Sequence, residues 1–188
     1  DPRNRRAIVE AGCVNAWITR DASAHGLFYA PDPSSQTACT IGGNIATNSG
    51  GPHTLKNGVT TNHVLGYEMV LSDGTIEWLG VEPDGGEEVA GFDLRGAAIG
   101  SEGMFGVVTT VLVRLMKTPP TFKTFLCVFE SVDDASQAVS GIIAAGIVPA
   151  ALEMMDQLIT QALEEAYHFG FRLDAGALLI VELDAKVI

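Results

Sequence analysis

The stretch Thr40-Ile41-Gly42-Gly43-Asn44-Ile45-Ala46-Thr47-Asn48-Ser49-Gly50-Gly51 sets the tightest limit on what this chain can become. Four glycines, two asparagines and two threonines surround a short apolar centre of Ile41, Ile45 and Ala46. Glycine admits positive φ and lacks the Cβ that would hold another body away from the backbone. Asparagine and threonine offer hydrogen bonds to ligand oxygens or to neighbouring backbone. The segment is expected to lie against a rigid, polar cofactor, because a plain surface loop needs no apolar centre with small residues on both sides. It is not a common nucleotide signature: there is neither a G-x-x-x-x-G-K-[ST] loop nor a G-x-G-x-x-G opening a helix.

At 188 residues and 47% hydrophobic content the chain can bury a core, as one large domain or as parts of two. A formal net charge of -12 argues against a nucleic-acid partner and does not favour an anionic membrane surface. No apolar run reaches the length of a membrane span. Three scattered cysteines, Cys13, Cys39 and Cys127, fit a reducing compartment and not a disulfide framework. The four histidines lie far apart without an H-E-x-x-H, so no metal site is expected from this chain alone. The chain begins at Asp1 and stops at Ile188, soon after the apolar run Ala177 to Leu183, and is expected to be a fragment of a longer polypeptide.

The pattern changes at Lys117-Thr118-Pro119-Pro120, where paired prolines cannot continue a sheet. Before that point, Arg6 to Val9 predicts a short strand, and Asn15 to His25 a helix closed by Gly26 in the left-handed region. Leu27 to Asn48 predicts a loop-rich passage, with Pro31 and Pro33 opposed to a regular ladder. Val64 to Leu71 and Thr75 to Leu79 flank Ser72-Asp73-Gly74, a strong hairpin signal. Glu82 to Gly91, with Glu82, Asp84, Glu87 and Glu88, predicts a solvated loop, and Val107 to Leu115 a β-branched strand. After the prolines come a strand over Phe122 to Phe129 and a helix from Ser131 to Ala145, with Ser131 as N-cap and Asp134 three residues on. A second strand over Ile147 to Leu152, a helix from its cap Asp156 to His168, and a third strand over Ala177 to Leu183 follow. The order β-α-β-α-β predicts a ferredoxin-like or similar α+β unit.

Several segments together resemble one family, the FAD-linked oxidases and dehydrogenases of the vanillyl-alcohol oxidase (PCMH) type, and within it the glycolate oxidase flavin subunit and D-lactate dehydrogenase branch. They are Tyr29-Ala30-Pro31-Asp32-Pro33-Ser34-Ser35, Thr40 through Gly51, Gly58-Val59-Thr60, Val64-Leu65-Gly66-Tyr67-Glu68 and Ser72-Asp73-Gly74. Gly91-Phe92-Asp93-Leu94, Ile99 through Thr109 and Pro149-Ala150-Ala151-Leu152-Glu153 continue them in family order over nearly the whole chain. The resemblance implies an α+β fold. Residues 1–118 would be the second subdomain of a PCMH-type FAD-binding domain, and residues 119–188 the start of a ferredoxin-like cap or substrate domain. It also implies two missing parts: an upstream glycine-rich loop that wraps the FAD pyrophosphate, and a downstream cap region with a His-rich cluster and a carboxylate-binding Arg. Asn57 stands where relatives often carry Tyr, and Ser49 where they often carry Ala.

On that resemblance Pro31, Asp32, Ser34 and Ser35 pass the diphosphate and ribityl chain of FAD. Thr40, Gly42, Gly43, Asn44, Thr47, Asn48 and Gly50 are expected cofactor contacts. Glu102 would accept hydrogen bonds from ribose or adenine, or cap a turn, and Gly106, Val107 and Val108 would present backbone to adenine. Read only as residues, the same positions are an Asp-Pro turn, a tight glycine loop and a turn entering a buried strand. Ile41 and Ile45 are expected to pack the core or a flavin face. His53 and Lys56 lie near the flavin or are structural and solvated, Cys39 is a packed thiol, and Glu153 faces the site from the cap or is a structural carboxylate. No catalytic residue is assigned.

The resemblance implies that the whole protein oxidises a D-2-hydroxy acid, glycolate or D-lactate, by hydride transfer from the α-carbon to FAD. An electron acceptor or companion subunits would reoxidise the cofactor, in the cytoplasm or peripherally at the inner membrane through those subunits. Such redox chemistry belongs to the cofactor, while the protein orients and binds. Two other readings remain open. One is a reductase like UDP-N-acetylenolpyruvoylglucosamine reductase, against which the Pro-Asp-Pro-Ser-Ser segment and the pattern after Pro120 count. The other is a non-catalytic scaffold that has lost FAD.

Overall fold

In the computed structural model, which describes residues 1–85 and 91–185, the chain divides into two units, Asp1–Thr118 and Pro119–Ile188. The first runs β1 (Arg6–Glu10), α1 (Asn15–Ala22), β2 (Leu27–Phe28), α2 (Ile41–Thr47), α3 (Thr54–Asn57), β3 (Val64–Val70), β4 (Ile76–Gly80), α4 (Leu94–Ala98), β5 (Val107–Arg114) and β6 (Met116–Lys117). Four strands form an antiparallel sheet in the order β1-β5-β3-β4. The hairpin signal is met at β3 and β4, where Gly74 has φ 85° and the Asp73 carboxylate accepts from Thr75 N–H at 2.9 Å. Glu87 and Glu88 lie outside the described residues.

The core of this unit is one cluster. Ile18 from α1, Ile41 and Ile45 from α2, Ala98 from α4 and Tyr67, Met69, Val111 and Val113 from the sheet all belong to it. Burying a side chain such as Ile41 or Ile45 stabilises by roughly 1.5–3 kcal/mol, and both are at most 1% exposed. That gain explains a departure from expectation. Part of the passage read as loop is the helix α2, because two isoleucines four apart land on one buried face and outweigh the poor helix propensity of Gly42 and Gly43. A register shift between Glu68 and Met69 bends β3 against the start of β5.

The second unit runs β7 (Thr121–Phe129), α5 (Val132–Ala144), β8 (Ala151–Asp156), α6 (Gln157–Tyr167) and β9 (Ala177–Ala185). Its sheet has the order β7-β9-β8, with β9 antiparallel to both neighbours. β7 and β8 therefore run parallel with β9 between them, a split β-α-β arrangement. Ser131 caps α5 by accepting from Asp134 N–H at 3.1 Å, and Asp156 caps α6 by accepting from Ile159 N–H at 2.9 Å. The second strand lies four residues later than expected. Pro149 has no N–H for a ladder, and Ile147 and Val148, 49% and 55% exposed, form its approach.

Candidate cofactor site

The glycine-rich helix α2 is anchored at its start by Ile41 and Gly42 N–H, which donate to the Cys13 and Ala11 carbonyls at 3.0 and 2.8 Å. Its end turns at Asn48, which holds φ 49° in the left-handed region. The loop after α4 docks there. Gly100 N–H donates to the Ile45 carbonyl at 2.8 Å and Glu102 N–H to the Ala46 carbonyl at 2.7 Å. Glu102 itself has φ 54°, so this loop is held in an uncommon backbone shape by the helix it caps.

Four expected positions, Gly42, Gly106, Val107 and Val108, line one concavity of about 260 Å³ together with Met69 and Ala98. Ile45, Ala46, Ser101 and Gly103 complete its wall, so α2, the docked loop and the β3–β5 bend meet there. Thr47 and Gly43 sit exposed on α2, with Thr47 Oγ1 3.1 Å from the Gly43 carbonyl and 2.7 Å from Ser49 Oγ. Ser34 and Ser35 are exposed, whereas Pro31 is buried.

Other expected contacts have partners within the protein. Asn44 is 2% exposed, and its Nδ2 donates to Asn15 Oδ1 at 2.8 Å. Asn15 Nδ2 donates onward to the Pro31 carbonyl at 2.9 Å, forming a buried amide relay from α2 to the Pro31–Ser35 segment. Asn48 Oδ1 accepts from Thr61 N–H at 2.9 Å, and Thr40 forms a bridge to Val14. The Asp32 carboxylate faces His53 Nδ1 at 2.5 Å. Sequence reasoning missed Met69, Ala98, Ser101 and Asn15. Ser101 stood inside a quoted motif, but no local signal joins Asn15 to a residue 29 positions away.

The glycines divide by what replaces their missing side chains. None of Gly42, Gly43, Gly50 and Gly51 has positive φ, contrary to one expected reason for them. A Cβ at Gly42 would come 2.9 Å from Ala11 Cβ, one at Gly50 2.5 Å from Thr54 Oγ1, and one at Gly51 would overlap Asp32. These three admit the chain's own neighbours. At Gly43 a Cβ would meet only Thr40 Oγ1, at 3.7 Å. The fold therefore has no use for glycine there, in a helix where it costs about 0.5–1 kcal/mol relative to alanine. Bare backbone facing outward beside an apolar concavity fits the close approach of a flat cofactor such as FAD.

Two groups buried within the first unit have pKa values shifted by burial. His63 Nε2–H donates to the Asn57 carbonyl at 2.7 Å, which leaves Nδ1 as the acceptor, and burial holds its pKa below the ordinary histidine value. Tyr29, edge-on to the His63 ring at 6.2 Å, has its phenol pushed up by burial. Among the described residues no group of three or more His, Cys, Asp or Glu could hold a metal ion, and no helix is long and apolar enough to cross a membrane.

Residues 1–80 match the family model for an FAD binding domain, and residues 118–187 that for the C-terminal domain of FAD linked oxidases. The chain is 47% identical over 184 residues to the glycolate oxidase subunit GlcD of Escherichia coli (strain K12), covering 98% of this chain and 36% of that protein. It is 36% identical over 157 residues to a D-lactate dehydrogenase of Archaeoglobus fulgidus, covering 84% of this chain and 34% of that protein. The chain thus spans about a third of the length of these relatives. Among solved structures, an alkyldihydroxyacetonephosphate synthase superposes with a TM-score of 0.80 at 20% identity, covering 98% of this chain and 36% of that one, a likeness of fold.

Proposed function

We propose, since this chain belongs to the FAD-linked oxidases, that the whole protein oxidises a D-2-hydroxy acid, glycolate or D-lactate, to the corresponding 2-oxo acid. FAD, when bound, supplies the acceptor for the hydride that leaves the α-carbon. The observation that carries the reading is the match over 98% of this chain, at 47% identity, to a glycolate oxidase subunit. Residues 1–118 then serve as the later part of the FAD-binding domain, and residues 119–188 as the start of the cap.

In this reading the chain's own residues bind and orient. Gly43 and Thr47 present the exposed face of α2 and Gly42 lines the concavity, with Thr40, Asn44, Asn48 and Gly50 holding the helix ends and inner side. Gly106, Val107, Val108 and the Glu102 loop close the concavity. Pro31, Asp32, Ser34 and Ser35 run past, with the exposed Ser34 and Ser35 hydroxyls suited to phosphate and ribityl oxygens. Met69 and Ala98 keep the wall apolar and exclude water from it. Companion subunits or another acceptor would take the electrons onward, with the protein in the cytoplasm or held at the inner membrane by those subunits. The similarity to a subunit of glycolate oxidase supports such companions.

The test is anaerobic mixing of the flavin-loaded full-length protein with D-lactate, glycolate, L-lactate and NADPH in turn. Bleaching of the flavin band by glycolate or D-lactate, and not by NADPH, is the expected result. Bleaching by NADPH alone would move the protein to the reductases.

A further inference from the structure

We propose that the Asp32–His53 couple is a positioning device for the cofactor, an assignment that rests on the FAD reading above. The Asp32 carboxylate lies 2.5 Å from His53 Nδ1, with side-chain exposures of 20% and 32%. In this bond Nδ1–H donates and the carboxylate accepts. Asp32 stands between Pro31 and Pro33, both buried, whose rings fix the backbone on either side of it. The backbone that carries the carboxylate is thereby restrained.

His53 is brought there by the turn that ends the glycine-rich stretch. Gly51 N–H donates to Thr54 Oγ1 at 2.7 Å, Thr54 N–H donates back to the Gly51 carbonyl at 3.0 Å, and His53 is the N-cap residue of α3. Gly51 passes so close to the Asp32 carbonyl and carboxylate that any Cβ there would overlap them. The Pro31–Ser35 segment is thus tied twice. The buried Asn15–Asn44 relay joins it to α2, and the Asp32–His53 couple joins it to the turn beyond α2. The two ties join the segment that carries Ser34 and Ser35 to the glycine-rich stretch that carries Gly43 and Thr47, the groups assigned above to the cofactor. The couple is the tie that reaches the surface, at the seam between the two ligand-facing segments.

The experiment uses the full-length apoprotein, titrated with FAD by fluorescence and followed by visible circular dichroism of the bound flavin. His53→Ala is expected to weaken FAD binding about tenfold, the loss of one charge-assisted hydrogen bond, and to change the flavin dichroism. His53→Asn sets an amide donor where Nδ1 stood and is expected to bind FAD within about threefold of wild type, whereas His53→Gln, its donor one methylene further out, should resemble the alanine variant. Wild-type affinity and dichroism in His53→Ala would overturn the assignment, as would equal weakening by the asparagine and glutamine variants. Should His53→Ala not fold, the asparagine–glutamine comparison decides. A wild-type protein that takes up no FAD fails the FAD reading itself, before any variant is compared, and this assignment with it.

Discussion

Gly42 and Gly43 are neighbours with opposite reasons to be glycine. Gly42→Ala should lower stability by roughly 1–3 kcal/mol, the usual cost of overpacking, because its Cβ meets Ala11 at 2.9 Å. Gly43→Ala should raise apoprotein stability by about 0.5–1 kcal/mol through helix propensity, yet weaken FAD binding. Thermal unfolding beside an FAD titration separates the two. Loss of stability in Gly43→Ala, with FAD affinity intact, would make that glycine purely structural. At His63 the folded pKa is depressed by burial, so the unfolded chain binds the proton more readily. Stability is then fully present above the ordinary histidine value of about 6.5 and is lost as pH falls through the window below it. Melting temperatures measured from about pH 7 to pH 5 should decline on acidification, and His63→Gln should flatten that slope.

At the scale of elements, the legible parts were those whose causes are local. Ser131 and Asp156 were readable as caps because a cap is a side chain three residues from the N–H it accepts, and both bonds are present. Asp156→Ala should cost about 1 kcal/mol, read as a lower urea midpoint; an unchanged midpoint would mean α6 is held by packing alone. The Asp73-Gly74 hairpin was readable for the same reason. Helix α2 was not, because glycine content argues against helix and only the burial of Ile41 and Ile45 beneath distant strands reverses the balance. The start of β8 slipped by four residues since the apolar Ile147 and Val148 look like strand but precede a proline. The amide relay through Asn15 and the Asp32–His53 couple were out of reach, joining residues 29 and 21 positions apart across loops whose course only the folded chain defines.

At the scale of the whole molecule, the ordered motifs and the change of pattern at Pro119-Pro120 carried more than any residue did. The family followed from that order, and the matches to an FAD binding domain over residues 1–80 and to the FAD linked oxidase C-terminal domain over residues 118–187 agree with it. On the proposed function, this chain builds one wall of an FAD site. The measurement that tests it most directly is the visible absorption spectrum of the full-length protein after incubation with excess FAD and desalting. A flavin band that stays with the protein, and is diminished in Gly43→Ala, is the predicted result. A folded protein that elutes colourless would contradict the claim and leave a scaffold without its cofactor.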